Sequence, residues 1–379
     1  MYISHIKLRN WRNFKDAEAA LGLRVFLIGP NASGKSNLLD AFRFLRDVAN
    51  DGLEKAVGDA RGGVSAIRCL AATRYSNVDV EVELTQDGES RWRYRLSVNQ
   101  DNVQRPEVRE EVVHECDQEV LRRPNDDDRH DRLRLTQTAL EQIAENRRFR
   151  AVADFFKSIS YQHLLPPVVR DPRGFSSLPV QNDPYGRDFL VRLWKTQSRT
   201  RDSRLKKLTA ALRIAVPQLT DLQVTLDESG TPHLSAGYEH WRPYAARQNE
   251  SQFSDGTLRL LGLLWTVYEG SGPLLLEEPE ISLHPDVVRH LPTVFYRISR
   301  SRKEPRQLII STHSEDMLRD PGIAPEEVLR LEPSPNGTLL RPPDEADRQA
   351  MAAGLTAADV LIPRAAPENI QQLAFVFEP

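Results

Sequence analysis

Apolar positions recur with three different spacings along this 379-residue chain. Runs such as RVFLI at 24–28, LLL at 274–276 and QLIIS at 307–311 read as strands, and the all-leucine one suits burial on both faces, as in a parallel sheet. Strict alternation at 78–85 (VDVEVELT) and 92–98 (WRYRLSV), around a QDGES turn, predicts antiparallel strands with one solvated face, and 110–121 adds a third. Residues 2–8 form a further strand. Helical spacing follows Ser36 as far as Ala49, and returns over 138–157 and 183–215. The segment 52–72, with Arg61-Gly62-Gly63, reads as loop, as does the mixed-charge 122–132, where Asp126, Asp127 and Asp128 are expected in a solvated turn. Residues 159–172 read as a strand entering a proline-punctuated loop, and 216–239 as a hairpin. From about 249 the order becomes helix, strand, helix, strand, the mark of parallel α/β construction. There is no internal repeat and no sustained heptad.

These elements predict an α/β protein with a split core at 1–50 and 250–345. An antiparallel β subdomain at 51–130 belongs to the same head. A helical and β lobe is inserted at 131–249, and a tail follows at 346–379. Composition changes this picture little. The apolar fraction of 40% supports a sizeable core, and the net charge of −3 argues against a protein that coats nucleic acid through overall charge. Cys69 and Cys116 have neither metal-ligand nor disulfide-framework spacing, which fits a reducing cytosol. No stretch resembles a signal peptide or reaches the length of a membrane span, so a cytoplasmic location and no membrane partner are expected.

The chemistry is concentrated at four places. Residues 29–36, GPNASGKS, satisfy G-x-x-x-x-G-K-[ST] between a predicted strand and a predicted helix. Gly29, Asn31, Ala32, Ser33 and Gly34 would turn backbone N–H groups toward phosphate oxygens at a helix N-terminus. Lys35 would supply a point charge to the β- and γ-phosphates, and Ser36 a hydroxyl to Mg²⁺. Glu277 and Glu278 follow the buried run LLL at the strand end where open α/β sheets hold ligands. Adjacent strand residues point to opposite sides, so Glu277 is expected in the metal shell and Glu278 beside the attacking water. A second strand ends in Thr312-His313-Ser314, where a histidine can reach a γ-phosphate. Finally, Ser254 in QFSDGTL is a plausible N-cap, and with Gly256 it offers a hydroxyl and backbone amides at a helix start.

In the order GPNASGKS, long insertion, FSDGT, LLLEEPEISLHP, IISTHS, these segments resemble the ABC-type ATPase heads of the RecF, SMC and OLD group, within the AAA-domain families. LRNWRNFKD resembles the start of such heads. The similarity covers about 1–50 and 250–320. It implies ATP and Mg²⁺ as cofactors, Lys35 and Ser36 as Walker A, and Glu277 with Glu278 as Walker B and catalytic glutamate. It also implies His313 as the switch histidine, and Ser254 with Gly256 as a signature that acts on the nucleotide of a second subunit in an ATP-bound homodimer. The chain departs from the pattern in three ways. Glu277 stands where aspartate is usual, the signature is S-D-G-T, and Leu283-His284 replaces a more common D-loop ending. Gln162 is the candidate Q-loop glutamine and Arg12 a candidate phosphate contact. About 65 residues follow Ser314 and lack clustered acids, so no TOPRIM nuclease is expected.

Two outputs remain open. One is a RecF-like role in DNA repair or maintenance, for which Arg192, Lys195, Arg199, Arg201, Arg204, Lys206 and Lys207 form a basic stretch able to neutralise phosphates. The other is the ATPase of a defence or toxin system that gates a separate effector protein.

Overall fold

The computed structural model describes residues 1–171, 183–239 and 247–365. Pro172, the last residue of the expected proline-punctuated loop, and residues 366–379 of the expected tail lie outside them. The strands are β1 (Tyr2–Trp11), β2 (Phe14–Ala20), β3 (Arg24–Ile28), β4 (Val78–Gln86), β5 (Glu89–Gln100), β6 (Pro106–Glu115), β7 (Gln118–Arg123), β8 (Ser160–Gln162), β9 (Leu219–Leu226), β10 (Pro232–Tyr238), β11 (Arg247–Asn249), β12 (Leu274–Glu277), β13 (Leu308–Ser311), β14 (Val328–Glu332) and β15 (Leu339–Arg341). The expected α/β class is present, with a mixed core sheet ordered β15-β14-β3-β13-β12-β8, an antiparallel sheet ordered β2-β1-β4-β5-β6-β7, and a small sheet β11-β10-β9 beside helices Phe189–Lys195 and Ser198–Ala215.

Alternation in the core strands divides the interior in two. Val25, Leu27, Leu275, Ile309, Leu329 and Leu331 face one cluster, filled by helices Lys35–Asp51 and Arg150–Lys157 and by the inner face of the antiparallel sheet. Phe26, Ile28, Leu274, Leu276, Leu308, Ile310 and Val328 face the other, filled by helices Asp255–Tyr268 and Pro285–Arg300 and the small sheet. Both faces of β3, β12 and β13 are therefore apolar, which is why these strands read as continuous hydrophobic runs. Among the described residues, no helix is long and apolar enough to cross a membrane.

Several elements differ from the sequence expectation. Residues 14–20 form a strand that hairpins with β1, so β1 and β2 lie in the antiparallel sheet while β3 begins the core. The stretch expected as a single strand at 110–121 is two strands, broken where Cys116 takes φ 50°. Residues 52–72 contain helices Leu53–Arg61 and Val64–Ile67, separated by Gly62 and Gly63 in positive φ. The helix expected from 138 begins only at Arg150, after a short 3₁₀ turn. Buried Glu111 accepts the amides of Ala139 and Leu140 at 2.6 and 3.0 Å, and the Asn146 side chain donates to the Leu140 carbonyl at 2.8 Å, an acceptor that a helix continuing from 138 would give to a backbone amide one turn on. Asp128 is not solvated. It is fully buried and pairs with Arg123 at 2.8 Å and Arg134 at 3.2 Å.

One side chain joins the two large sheets. Gln307, 2% exposed, accepts from the Ile3 amide at 2.9 Å and donates to the carbonyls of Ile3 at 2.7 Å and Gly22 at 2.8 Å. Gln307→Leu leaves two buried backbone groups of Ile3 and the half-buried Gly22 carbonyl without this partner, and stranding even one buried group costs about 1–3 kcal/mol. Urea unfolding should show a loss of at least about 2 kcal/mol; an unchanged midpoint would remove Gln307 as the clasp.

Candidate functional site

The site is built at the carboxyl ends of three adjacent parallel strands. β13 lies between β3 and β12, with Ser311 level with Leu27 on one side and Glu277 on the other. The loop after β3 is residues 29–36. Gly29 and Gly34 hold φ of 154° and 100°, and a Cβ on Gly29 would stand 2.6 Å from the Leu331 carbonyl. Ala32, at φ 61°, completes the turn. The helix Lys35–Asp51 starts with Gly34 as its N-cap, with no side-chain cap and no acid in its first turn. Its leading amides have no anionic side chain to compete with a phosphate, and the buried hydroxyl of Ser33 has no hydrogen-bond partner. Asn31 is exposed on the outside of the loop. The chemistry of this cradle fits a triphosphate.

Lys35 folds back over the loop, its Nζ donating to the carbonyls of Gly29 at 2.9 Å and Pro30 at 3.1 Å. Burial lowers its pKa to about 8, against the opposing pull of Glu278, Glu280 and Glu277. The loop is propped from outside its own segment. Asn13, in the β1–β2 turn, donates to the Ser33 carbonyl at 2.9 Å and to the Thr338 hydroxyl at 2.6 Å, and Thr338 donates to the same carbonyl at 2.8 Å. Asn37 donates to the other end of the Asn13 amide at 2.8 Å. Sequence reading missed Asn13 and Thr338 as supports. The first lies within the quoted LRNWRNFKD, but nothing in the sequence pairs it with a residue 325 positions away.

Glu277 ends β12. One carboxylate oxygen accepts the Ser36 hydroxyl and the other the Tyr161 hydroxyl, and His163 Nδ1 lies 3.1 Å from its carbonyl. A hydroxyl and a carboxylate that share one point are the hard oxygen donors Mg²⁺ takes. Among the described residues no group of three or more His, Cys, Asp or Glu could hold a metal ion, so a cation here would draw further ligands from substrate phosphates and water.

Glu278 turns the other way. It takes a positive φ of 44°, its amide donates to the Ser311 carbonyl at 3.0 Å, and its carbonyl accepts from buried Arg259 at 2.7 Å. His313 Nε2 stands 3.4 Å from the Glu278 carboxylate. Burial, then Lys35, lower the His313 pKa against the pull of Glu278, which favours the neutral ring at neutral pH. Glu280 is a further acid that sequence reading passed over, although it stands in the quoted EEPE. It accepts from the Thr312 hydroxyl at 2.7 Å and the His313 amide at 3.0 Å, while its second oxygen is buried without a partner. Burial raises its pKa. It thereby ties the segment after β12 to the histidine after β13.

The remaining candidates are more dispersed. Gln162 ends β8, 6% exposed, with its side-chain oxygen unpartnered. Arg12 is engaged by Asp40 at 2.9 Å. The Ser254 hydroxyl caps helix Asp255–Tyr268 by accepting the Thr257 amide at 3.2 Å, and a Cβ on Gly256 would meet the Ser282 carbonyl at 2.9 Å. Among the described residues no hydrogen bond joins either to residues 29–36. The basic stretch divides. Arg192 pairs with Asp188 and Glu269, Arg201 stacks on Trp194 and Arg204 on Trp265, whereas Lys195, Arg199, Lys206 and Lys207 are exposed.

A family model described as AAA domain, putative AbiEii toxin, Type IV TA system matches residues 24–319. Among curated proteins, DNA replication and repair protein RecF of Trichodesmium erythraeum is 28% identical over 111 residues, which are 28% of this chain and 27% of that protein. RecF of Synechocystis is 31% identical over 110 residues, again 28% and 27%. The chain thus spans about a quarter of the length of the curated relatives it matches. Among solved structures, an SMC head bound to the C-terminal winged-helix domain of ScpA has TM-score 0.59 at 14% identity, covering 91% of this chain and 99% of that one. An SMC head with an extended coiled coil, bound to the C-terminal domain of ScpA derived from Pyrococcus furiosus, has TM-score 0.54 at 12% identity, covering 93% and 98%. The chain belongs to this AAA-domain family, with the fold of a RecF/SMC-like ABC-type ATPase head.

Proposed function

We propose that the protein binds and hydrolyses ATP with Mg²⁺, and that ATP closes two copies into a dimer. One observation carries this reading: Glu277, Glu278 and His313, from two neighbouring strand ends, converge beside the phosphate loop and Ser36, which is 241 residues away from Glu277 in sequence. Lys35 and the loop amides grip the phosphates. Ser36 and Glu277 would hold the cation, which would supply charge neutralisation to the phosphates. Glu278 orients and polarises the attacking water, and neutral His313 donates toward the γ-phosphate. Ser254 and Gly256, which make no bond to their own phosphate loop, fit a role on the nucleotide of a second subunit, and two copies then give two composite sites.

For the output we favour a role on DNA, supported by the RecF relatives and by the exposed cations of helix Ser198–Ala215 and its approach. The family description favours a second reading, an ATPase that controls a toxin or defence effector in a separate protein.

Glu278→Gln should bind ATP, turn it over at least about a hundredfold more slowly and run as a dimer in light scattering with ATP. Lys35→Ala should stay monomeric, and Ser254→Arg should bind ATP without dimerising. Wild-type turnover in Glu278→Gln, or dimerisation of Ser254→Arg, would refute the assigned roles. ATP binding requires the protonated Lys35, so affinity should hold below pH 8 and fall above it by at most about tenfold per pH unit. Lys35→Arg should flatten that dependence, because guanidinium keeps its proton. In the DNA reading, Lys195→Glu/Arg199→Glu/Lys206→Glu/Lys207→Glu should abolish salt-sensitive duplex binding by the ATP-loaded protein while leaving ATP turnover intact. Equal DNA binding by this variant and wild type would shift the assignment to the toxin or defence reading.

A further inference from the structure

Glu277 is one methylene longer than the aspartate usual at its position, and a longer carboxylate has more rotamers to lose when it must hold one place. Here both of its oxygens are taken. The Ser36 hydroxyl donates to one and the Tyr161 hydroxyl to the other. Tyr161 is itself well fixed. It lies in β8 level with Leu275 of β12, is 6% exposed, and packs in the interior cluster beneath helix Lys35–Asp51. The guanidinium of Arg43, from that same helix, covers its ring at 4.2 Å. The phenol hydroxyl is the donor in this contact and the Glu277 oxygen the acceptor.

We propose that Tyr161 is a positioning residue for the metal shell: by holding the outer oxygen of Glu277 it aims the inner one at the point shared with Ser36, and so lets a glutamate serve at this site. The inference rests on the ATP and Mg²⁺ reading above. The added methylene spans the interval between the phosphate-loop helix and the edge strand β8, and an aspartate would withdraw from the phenol. Partners behind a metal ligand commonly set affinity by tenfold or more.

The test is the affinity of Mn²⁺, followed by electron paramagnetic resonance, for protein loaded with a non-hydrolysable ATP analogue. Tyr161→Phe keeps the ring and its Arg43 contact and should weaken Mn²⁺ about tenfold. Glu277→Asp should weaken it alone, and adding Tyr161→Phe to Glu277→Asp should cost less than about twofold more, because the shortened carboxylate has already left the hydroxyl. An unchanged affinity in Tyr161→Phe overturns the proposal. So does an equal loss on both backgrounds, which would mean that Tyr161 acts through packing. If wild type holds Mn²⁺ with the analogue no better than Lys35→Ala does, the ATPase reading itself fails, an outcome separate from either of these.

Discussion

The structure depends on the register of three buried parallel strands. β3, β13 and β12 are hydrogen-bonded so that Leu27, Ser311 and Glu277 stand level with one another. Everything with chemical character then leaves the sheet from one edge: the phosphate loop from β3, Glu277 and Glu278 from β12, and Thr312 and His313 from β13. A slip of one residue in β12 would exchange the two acids between faces, because side chains alternate with a period of two. Both faces of these strands are packed with Leu, Ile, Val and Phe, so such a slip would strand none of the hydrophobic residues in water but would break the packing of both clusters at once.

Burial then sets the electrostatics. Lys35 sits among three carboxylates yet its pKa is lowered, because desolvation outweighs their attraction. The same effect holds His313 toward its neutral form and raises Glu280. This balance suits the proposed metal-bound triphosphate, whose phosphates would meet the lysine and whose cation would meet the acids. Its supports are polar and distant. Asn13 and Thr338 fasten the loop from the antiparallel sheet and from the approach to β15, and Gln307 fastens that same sheet to the core. The antiparallel layer is thus mechanically continuous with the phosphate loop rather than an ornament on it.

The Arg259 guanidinium extends this continuity to the far side of the sheet. Buried in the first turns of helix Asp255–Tyr268, it donates to the carbonyls of Leu164, just past β8, and of Glu278. The helix that begins with Ser254 is therefore bonded directly to the backbone of Glu278.

What the sequence by itself determined was local. The octet 29–36, the leucine run that ends in two glutamates and the strand that ends in histidine each carry their signal within about ten residues, since strand burial, helix starts and phosphate loops are short-range in origin. Tertiary structure decided what those segments touch. That Tyr161 would reach Glu277, that Asn13 would meet Thr338, that Glu111 would gather the amides of Ala139 and Leu140, and that Arg192 and Arg201 would turn inward from a basic stretch are long-range outcomes. A polar side chain's partner is chosen by whichever unsatisfied group the fold buries beside it, and that choice has no period in the sequence.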